Sequence, residues 1–165
     1  MAIVTDEILE HLAGEVVSRL SDASLSLVTA ESCTGGWVAK LITDIPGSSP
    51  VIERGFVTYS NTSKQDLLSV PGSIITEHGA VSESCVKAMV AGALRNSQAT
   101  LGLAITGIAG PGGGSAEKPV GTVWLSWAGP GWLKVEQHQF DGNRDAVRRQ
   151  AARRALQGVL EFSGA

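Results

Sequence analysis

Between Glu31 and Gly36 the chain reads Glu-Ser-Cys-Thr-Gly-Gly, a carboxylate, two hydroxyls and a thiol beside two glycines. An apolar run precedes this stretch and a helical pattern follows it. A serine at such a strand-to-helix turn sits where helix N–H groups and the helix dipole favour developing negative charge. Gly35 and Gly36 let a substrate approach the backbone closely. Serine alone is a poor nucleophile and needs a base. None of the three histidines is an obvious partner: His11 and His138 fall in predicted helix and strand bodies, and His78 in a turn. Lys64, just after the second predicted strand, can serve if desolvation lowers its pKa. Tyr59, the only tyrosine, lies at the same strand end and can relay a proton or hold Ser32 and Lys64 in line. The plainer alternative is that Ser32 caps the helix and Tyr59 fills the edge of the core. Cys33 is the rival nucleophile, intrinsically better and activated by a helix N-terminus. Otherwise it is a small buried filler. Glu31 either orients an amide or a lysine, or is a solvated carboxylate favouring the helix dipole.

Two further segments carry polar chemistry. The loop Gly107-Ile-Ala-Gly-Pro-Gly-Gly-Gly-Ser115 lacks the Gly-Lys-Ser/Thr of a P-loop and the GxGxxG of a dinucleotide fingerprint. It reads either as a flexible connection or as a backbone nest for phosphate or ribose, with Thr106 and Ser115 as hydroxyl donors. In the last predicted helix, Arg144 and Arg148 share the face of Val147, Ala151, Ala155, Val159 and Phe162, whereas Arg149 and Arg153 fall opposite as solvated charges. An inward arginine pair needs an anion. That anion is either Asp141 or Asp145 of this chain, or a substrate phosphate or carboxylate.

The elements that must position these groups follow from periodicity. Ile8, Leu12, Val16 and Leu20, widened by Leu9 and Val17, predict a helix over 5–20, capped by Thr5. Residues 25–30 predict a first strand. A helix follows from about Thr34, with Trp37, Val38, Leu41, Ile42 and Ile45 on its apolar face, ended by Pro46-Gly47. A second strand spans 55–61 and a short helix 63–68, before the turn signal Pro71-Gly72. A helix over 82–94, a third strand over 100–107, a hairpin about Gly129-Pro130-Gly131 and a helix over about 143–162 complete the chain. Helices alternating with the first three strands imply parallel crossovers. The fold class is α/β: a three-layer α/β/α sandwich with a mostly parallel mixed sheet of about five strands, one antiparallel. In such a sheet ligands bind beyond the carboxyl ends of the parallel strands. The Glu31–Gly36 turn, Tyr59 with Lys64, and Thr106-Gly107 all lie there.

The bulk numbers set the limits. The 165 residues suit one domain spanning 1–165, and 43% apolar content is ample for one core. A net charge of −3 argues against a nucleic-acid footprint. Two cysteines far apart, Cys33 and Cys85, form neither a disulfide framework nor metal-ligand spacing. The polar, acidic start is unlike a secretory signal, and no apolar run approaches membrane-span length. These features predict a cytoplasmic protein with no nucleic-acid or membrane partner. Three of the four tryptophans lie in or beside the hairpin, as core or as interface.

Read in order, Glu31–Gly36, Gly55–Asn61 with Lys64, the stretch from Ala104 to Trp124 and that from Asp141 to Leu156 resemble the CinA C-terminal domain family. The resemblance covers about Ile8 to Leu160. It implies hydrolysis of nicotinamide mononucleotide (NMN) to nicotinate mononucleotide and ammonia, with no metal or other cofactor, in a homo-oligomer, a dimer favoured. It matches Ser32, Tyr59 and Lys64 to the family's catalytic serine, tyrosine and lysine. Combined with the residue reading, Ser32 attacks and Lys64, with Tyr59, moves the proton. N–H groups near Thr34 to Gly36 hold the oxyanion. Glu31, Thr34, Gly35, Gly36, Thr106, Gly107 and Arg144 or Arg148 contact substrate. The alternative is a module of the same family that binds a nucleotide or recruits a partner without catalysis.

Overall fold

The computed structural model describes residues 2–164. Its elements in chain order are α1 (Asp6–Asp22), β1 (Leu27–Glu31), α2 (Trp37–Thr43), β2 (Ile52–Val57), α3 (Asn61–Leu68), α4 (Gly72–His78), α5 (Glu83–Arg95), β3 (Leu101–Gly107), β4 (Thr122–Gly129), β5 (Trp132–Gln139) and α6 (Arg144–Phe162). The sheet order is β2-β1-β3-β4-β5. β1 pairs parallel with β2 and β3, and the antiparallel β4 joins β3 to β5. The mixed five-stranded sheet expected from the alternation is present, with β4 the one strand running against the rest.

The two faces of the sheet differ in side-chain size, and this sorts the helices. Leu27, Leu103, Ile105, Val123, Leu125 and Trp127 point into the core shared with α1, α2 and α6. Val28, Ala30, Ala104 and Ala128 face α3–α5. The small face admits α5 closely: a Cβ on Gly102 would come within 2.9 Å of the Val90 side chain. On the large face Trp127 is buried against α6 and donates its indole N–H to the Ala155 carbonyl at 3.0 Å. Trp127 is therefore core.

Several boundaries differ from the sequence reading. The buried stripe of α1 is Leu9, Ala13, Val16, Val17 and Leu20. Ile8, expected on that stripe, is exposed. β2 ends at Val57, because Ser60 turns the chain into α3 by accepting the Ser63 N–H at 3.0 Å. Pro71-Gly72, read as a turn, instead opens α4; Pro71 is its N-cap, a place where the missing proline N–H costs nothing. His78 is the last residue of that helix.

β1 is the switch point of the sheet. Its onward connection through α2 crosses one face to β2, and the return through α3–α5 crosses the other to β3. A crevice opens where such connections diverge, at the carboxyl ends of the strands. No helix among the described residues is long and apolar enough to cross a membrane.

Candidate active site

The turn after β1 is built by backbone hydrogen bonds. Ser32 N–H donates to the Ile105 carbonyl at 3.0 Å, tying the serine to β3. The Gly35 N–H closes the turn on the Ser32 carbonyl at 3.0 Å. Gly35 and Gly36 take φ of +60° and +96°, a left-handed path that favours glycine. Gly36, the N-cap of α2, has no side chain to cap with. Glu31 does that work from five residues upstream: its Oε1 accepts the Val38 N–H at 3.0 Å and its Oε2 the Ala39 N–H at 3.1 Å. Glu31 is only 1% exposed. It is thus a buried helix cap rather than a solvated carboxylate, and neither oxygen bonds Lys64.

Ser32 and Lys64 meet. Lys64 comes from α3, is 1% exposed, and places Nζ 3.0 Å from Ser32 Oγ. The same Nζ donates to the carbonyls of Thr58 at 2.7 Å and Tyr59 at 3.3 Å. No carboxylate pairs with it among the described residues, and burial pushes its pKa down. A neutral amine has two N–H bonds and one lone pair. An ammonium donates to all three oxygens; once the amine is neutral, its two N–H bonds stay on the carbonyls and its lone pair faces the Ser32 hydroxyl proton.

Cys33 is buried beside them, yet burial, with the Glu31 charge, pushes its thiol up to about 12. Held there, it is a thiol at neutral pH and not the thiolate that a cysteine nucleophile needs.

Ser32, Cys33, Tyr59, Lys64, Thr106 and Gly107 line one cleft of about 260 Å³ with Arg144 and the glycine loop. Thr106 donates its hydroxyl to the Ala80 carbonyl at 2.9 Å, holding the α4–α5 link at the cleft wall. Ser115 lies in the same loop, but its hydroxyl accepts the Lys118 N–H at 3.1 Å. Tyr59 is 60% exposed, and its hydroxyl accepts from Arg144 Nη2 at 2.9 Å rather than meeting Ser32 or Lys64. Arg144 also donates to the Gly110 carbonyl at 2.7 Å.

The Thr34 and Arg148 side chains and the two glycines, Gly35 and Gly36, lie behind the stretch of cleft wall that Ser32 and Cys33 form. Arg148 donates Nε to the Cys33 carbonyl at 3.0 Å and Nη2 to the Thr34 carbonyl at 3.2 Å. Neither Asp141 nor Asp145 pairs with these two arginines: Asp145 pairs with Arg149, while Arg144 holds the Gly110 carbonyl and the Tyr59 hydroxyl and Arg148 holds two carbonyls. Arg149, expected to be solvated, also binds Asp6 and lies 5.2 Å from the Trp37 ring centroid. Sequence reasoning missed this α1–α6 tie and the Glu31 cap, since both join residues no local pattern links.

A larger cavity of about 480 Å³ lies between residues 2–7 and the start of α6, but its Asp6 and Asp145 are already spent on Arg149. Among the described residues no group of three His, Cys, Asp or Glu side chains could hold a metal ion.

The model of the CinA C-terminal domain matches residues 9–163. The chain is 52% identical to the nicotinamide-nucleotide amidohydrolase PncC of Escherichia coli K12, over 96% of each chain. It is 48% identical to a CinA-like protein of Syntrophotalea carbinolica, matching 94% of this chain but spanning only 38% of that protein. Among solved structures, the competence/damage-inducible protein CihA of Agrobacterium tumefaciens superposes with a TM-score of 0.93 at 41% identity, over 99% of both chains.

Proposed function

The chain belongs to the CinA C-terminal domain family, and from that membership and the cleft we propose that it hydrolyses the carboxamide of NMN to nicotinate mononucleotide and ammonia. The observation that carries the mechanism is the buried Lys64 amine on Ser32 Oγ, with no carboxylate to keep it charged.

Ser32 Oγ adds to the carboxamide carbon as its proton passes to Lys64 Nζ. The C–N bond then breaks as Lys64 returns that proton to the departing nitrogen. Ammonia leaves and an ester remains on Ser32. A water molecule gives a proton to Lys64 and adds to the ester carbon. The proton goes back to Ser32 Oγ and nicotinate mononucleotide departs.

N–H groups in the turn after Ser32 hold the oxyanion; one such donor is typically worth about 3 kcal/mol. Arg144, paired with no carboxylate among the described residues and lining the cleft with Gly110, Gly112 and Gly113, receives the phosphate. Thr106 and Gly107 shape the wall against which the nucleotide lies. Tyr59 assists at one remove: its carbonyl holds Lys64 and its hydroxyl holds Arg144.

The test is the product balance. The protein should release ammonia and nicotinate mononucleotide from NMN in equal amounts, chelator or not, and prefer NMN strongly over nicotinamide. Equal rates on nicotinamide would mean an amidase blind to the phosphate. NMN binding by calorimetry without any release would leave a nucleotide-binding module.

A further inference from the structure

We infer that Arg148 is a positioning residue, which fixes the direction of the two backbone N–H groups following the nucleophile. This rests on the hydrolytic reading of the cleft. Arg148 projects from the first turns of α6 and lies against the turn, with its Nη2 3.7 Å from where a Gly35 Cβ would stand. Its guanidinium sits 5.2 Å from the Trp37 ring centroid and pairs with no carboxylate among the described residues. Its two turn contacts are the successive carbonyls of Cys33 and Thr34; it shares the Thr34 carbonyl with the Trp37 N–H, which donates at 3.0 Å, and is the one donor to the Cys33 carbonyl among the described residues.

A trans peptide is planar, so its N–H points opposite its C=O. Holding the Cys33 carbonyl toward α6 turns the Thr34 N–H away from α6. Holding the Thr34 carbonyl likewise aims the Gly35 N–H, which donates to the Ser32 carbonyl at 3.0 Å. With the Ser32 carbonyl engaged on that side, the Cys33 N–H faces the other way. The guanidinium thus sets the Cys33–Thr34 plane directly, braces the Thr34–Gly35 plane together with the Trp37 N–H, and reaches the Ser32–Cys33 plane through the Gly35 N–H. Among the described residues the Cys33 and Thr34 N–H groups have no acceptor, while Gly35 and Ser32 spend theirs. Two free N–H groups adjacent to a nucleophile form a donor pair for an oxyanion. The glycines at 35 and 36 loosen the turn that two backbone hydrogen bonds close, and Arg148 adds the hold on the Cys33 carbonyl that neither of these supplies.

The test compares Arg148→Met and Arg148→Lys with the wild type. Arg148→Met should lower kcat for NMN about 100-fold, the loss typical of a misaimed oxyanion donor, and leave KM near wild type. Arg148→Lys, which can still donate to a turn carbonyl, should recover part of the rate. A raised KM with kcat kept would make Arg148 a phosphate contact and overturn the inference, as would an unchanged kcat. Hydrogen exchange gives a second reading. In Arg148→Met the Gly35 amide should exchange faster while the β3 amides stay protected; unchanged Gly35 exchange would overturn the clamp. If Arg148→Met loses protection throughout, Arg148→Lys carries both readings. Wild-type protein releasing no ammonia would defeat the hydrolytic reading, whereas Gly35 exchange would still decide whether Arg148 holds the turn.

Discussion

Replacing Glu31 should damage the fold before it touches substrate. Its two oxygens accept the Val38 and Ala39 N–H groups in a buried site, and Gly36 offers no substitute cap. Hydrogen bonds to a charged group contribute about 1.5–3 kcal/mol each, so two give roughly 3–6 kcal/mol. Water entering the vacated space returns part of this, and Glu31→Ala is expected to cost about 4 kcal/mol. That is a large share of the roughly 5–15 kcal/mol by which domains are stable. Glu31→Gln keeps one acceptor but turns an NH₂ toward the second N–H, for a cost of about 2 kcal/mol. Urea unfolding followed by tryptophan fluorescence reads both, since Trp37 is the first residue of α2. The midpoint should fall in the order wild type, Glu31→Gln, Glu31→Ala, with the slope unchanged. A loss below about 1 kcal/mol for Glu31→Ala would refute the cap. So would a Glu31→Gln protein of full stability with a raised KM, because that would put the carboxylate in the cleft.

Arg144→Ala should raise KM for NMN about ten- to a hundredfold with kcat nearly kept, as expected for loss of a charge-assisted contact equal in ground and transition states. Tyr59→Phe should move KM in the same direction through the lost Arg144 contact, whereas a collapse of kcat would make the hydroxyl a proton carrier. The rate should fall as acid protonates Lys64, and burial places that limb below the ordinary lysine range. Between the lowered folded pKa of Lys64 and its unfolded value, the unfolded chain binds more protons, so stability rises with pH across that window. Denaturation midpoints of Lys64→Met should show this rise flattened and stability raised at neutral pH. Arg154 and, secondarily, His138 hold Glu136 down to about 2, so its contribution is present above its unfolded pKa and is lost as pH falls toward about 2. Acid unfolding of Glu136→Gln should lack that loss.

Much of this was legible along the chain because it is local. Strand and helix periods yielded the alternation, and the switch-point rule gathered Ser32, Tyr59, Lys64 and Thr106 at one end of the sheet. The elements that read poorly are those set by tertiary partners. Ile8 and Leu9 are equally apolar, and only the docking of α1 on α6 decides which is buried. Ser60, three residues before Ser63, was an available cap signal for the start of α3 and the end of β2. Nothing local marks Glu31 as the cap of a helix that begins six residues later, or distinguishes Arg144 in the cleft from Arg148 behind it. One helical turn separates the two arginines, and one carbonyl pair sets them apart.

In the proposed reaction Ser32 attacks and Lys64 takes its proton. Ammonia release from NMN by Ser32→Ala, Lys64→Met and Cys33→Ala, measured beside the wild type, tests it most directly. Ser32→Ala and Lys64→Met should lose release while Cys33→Ala keeps it near the wild-type rate. Loss in Cys33→Ala with activity retained in Ser32→Ala would contradict this reaction and move the nucleophile one residue along the turn.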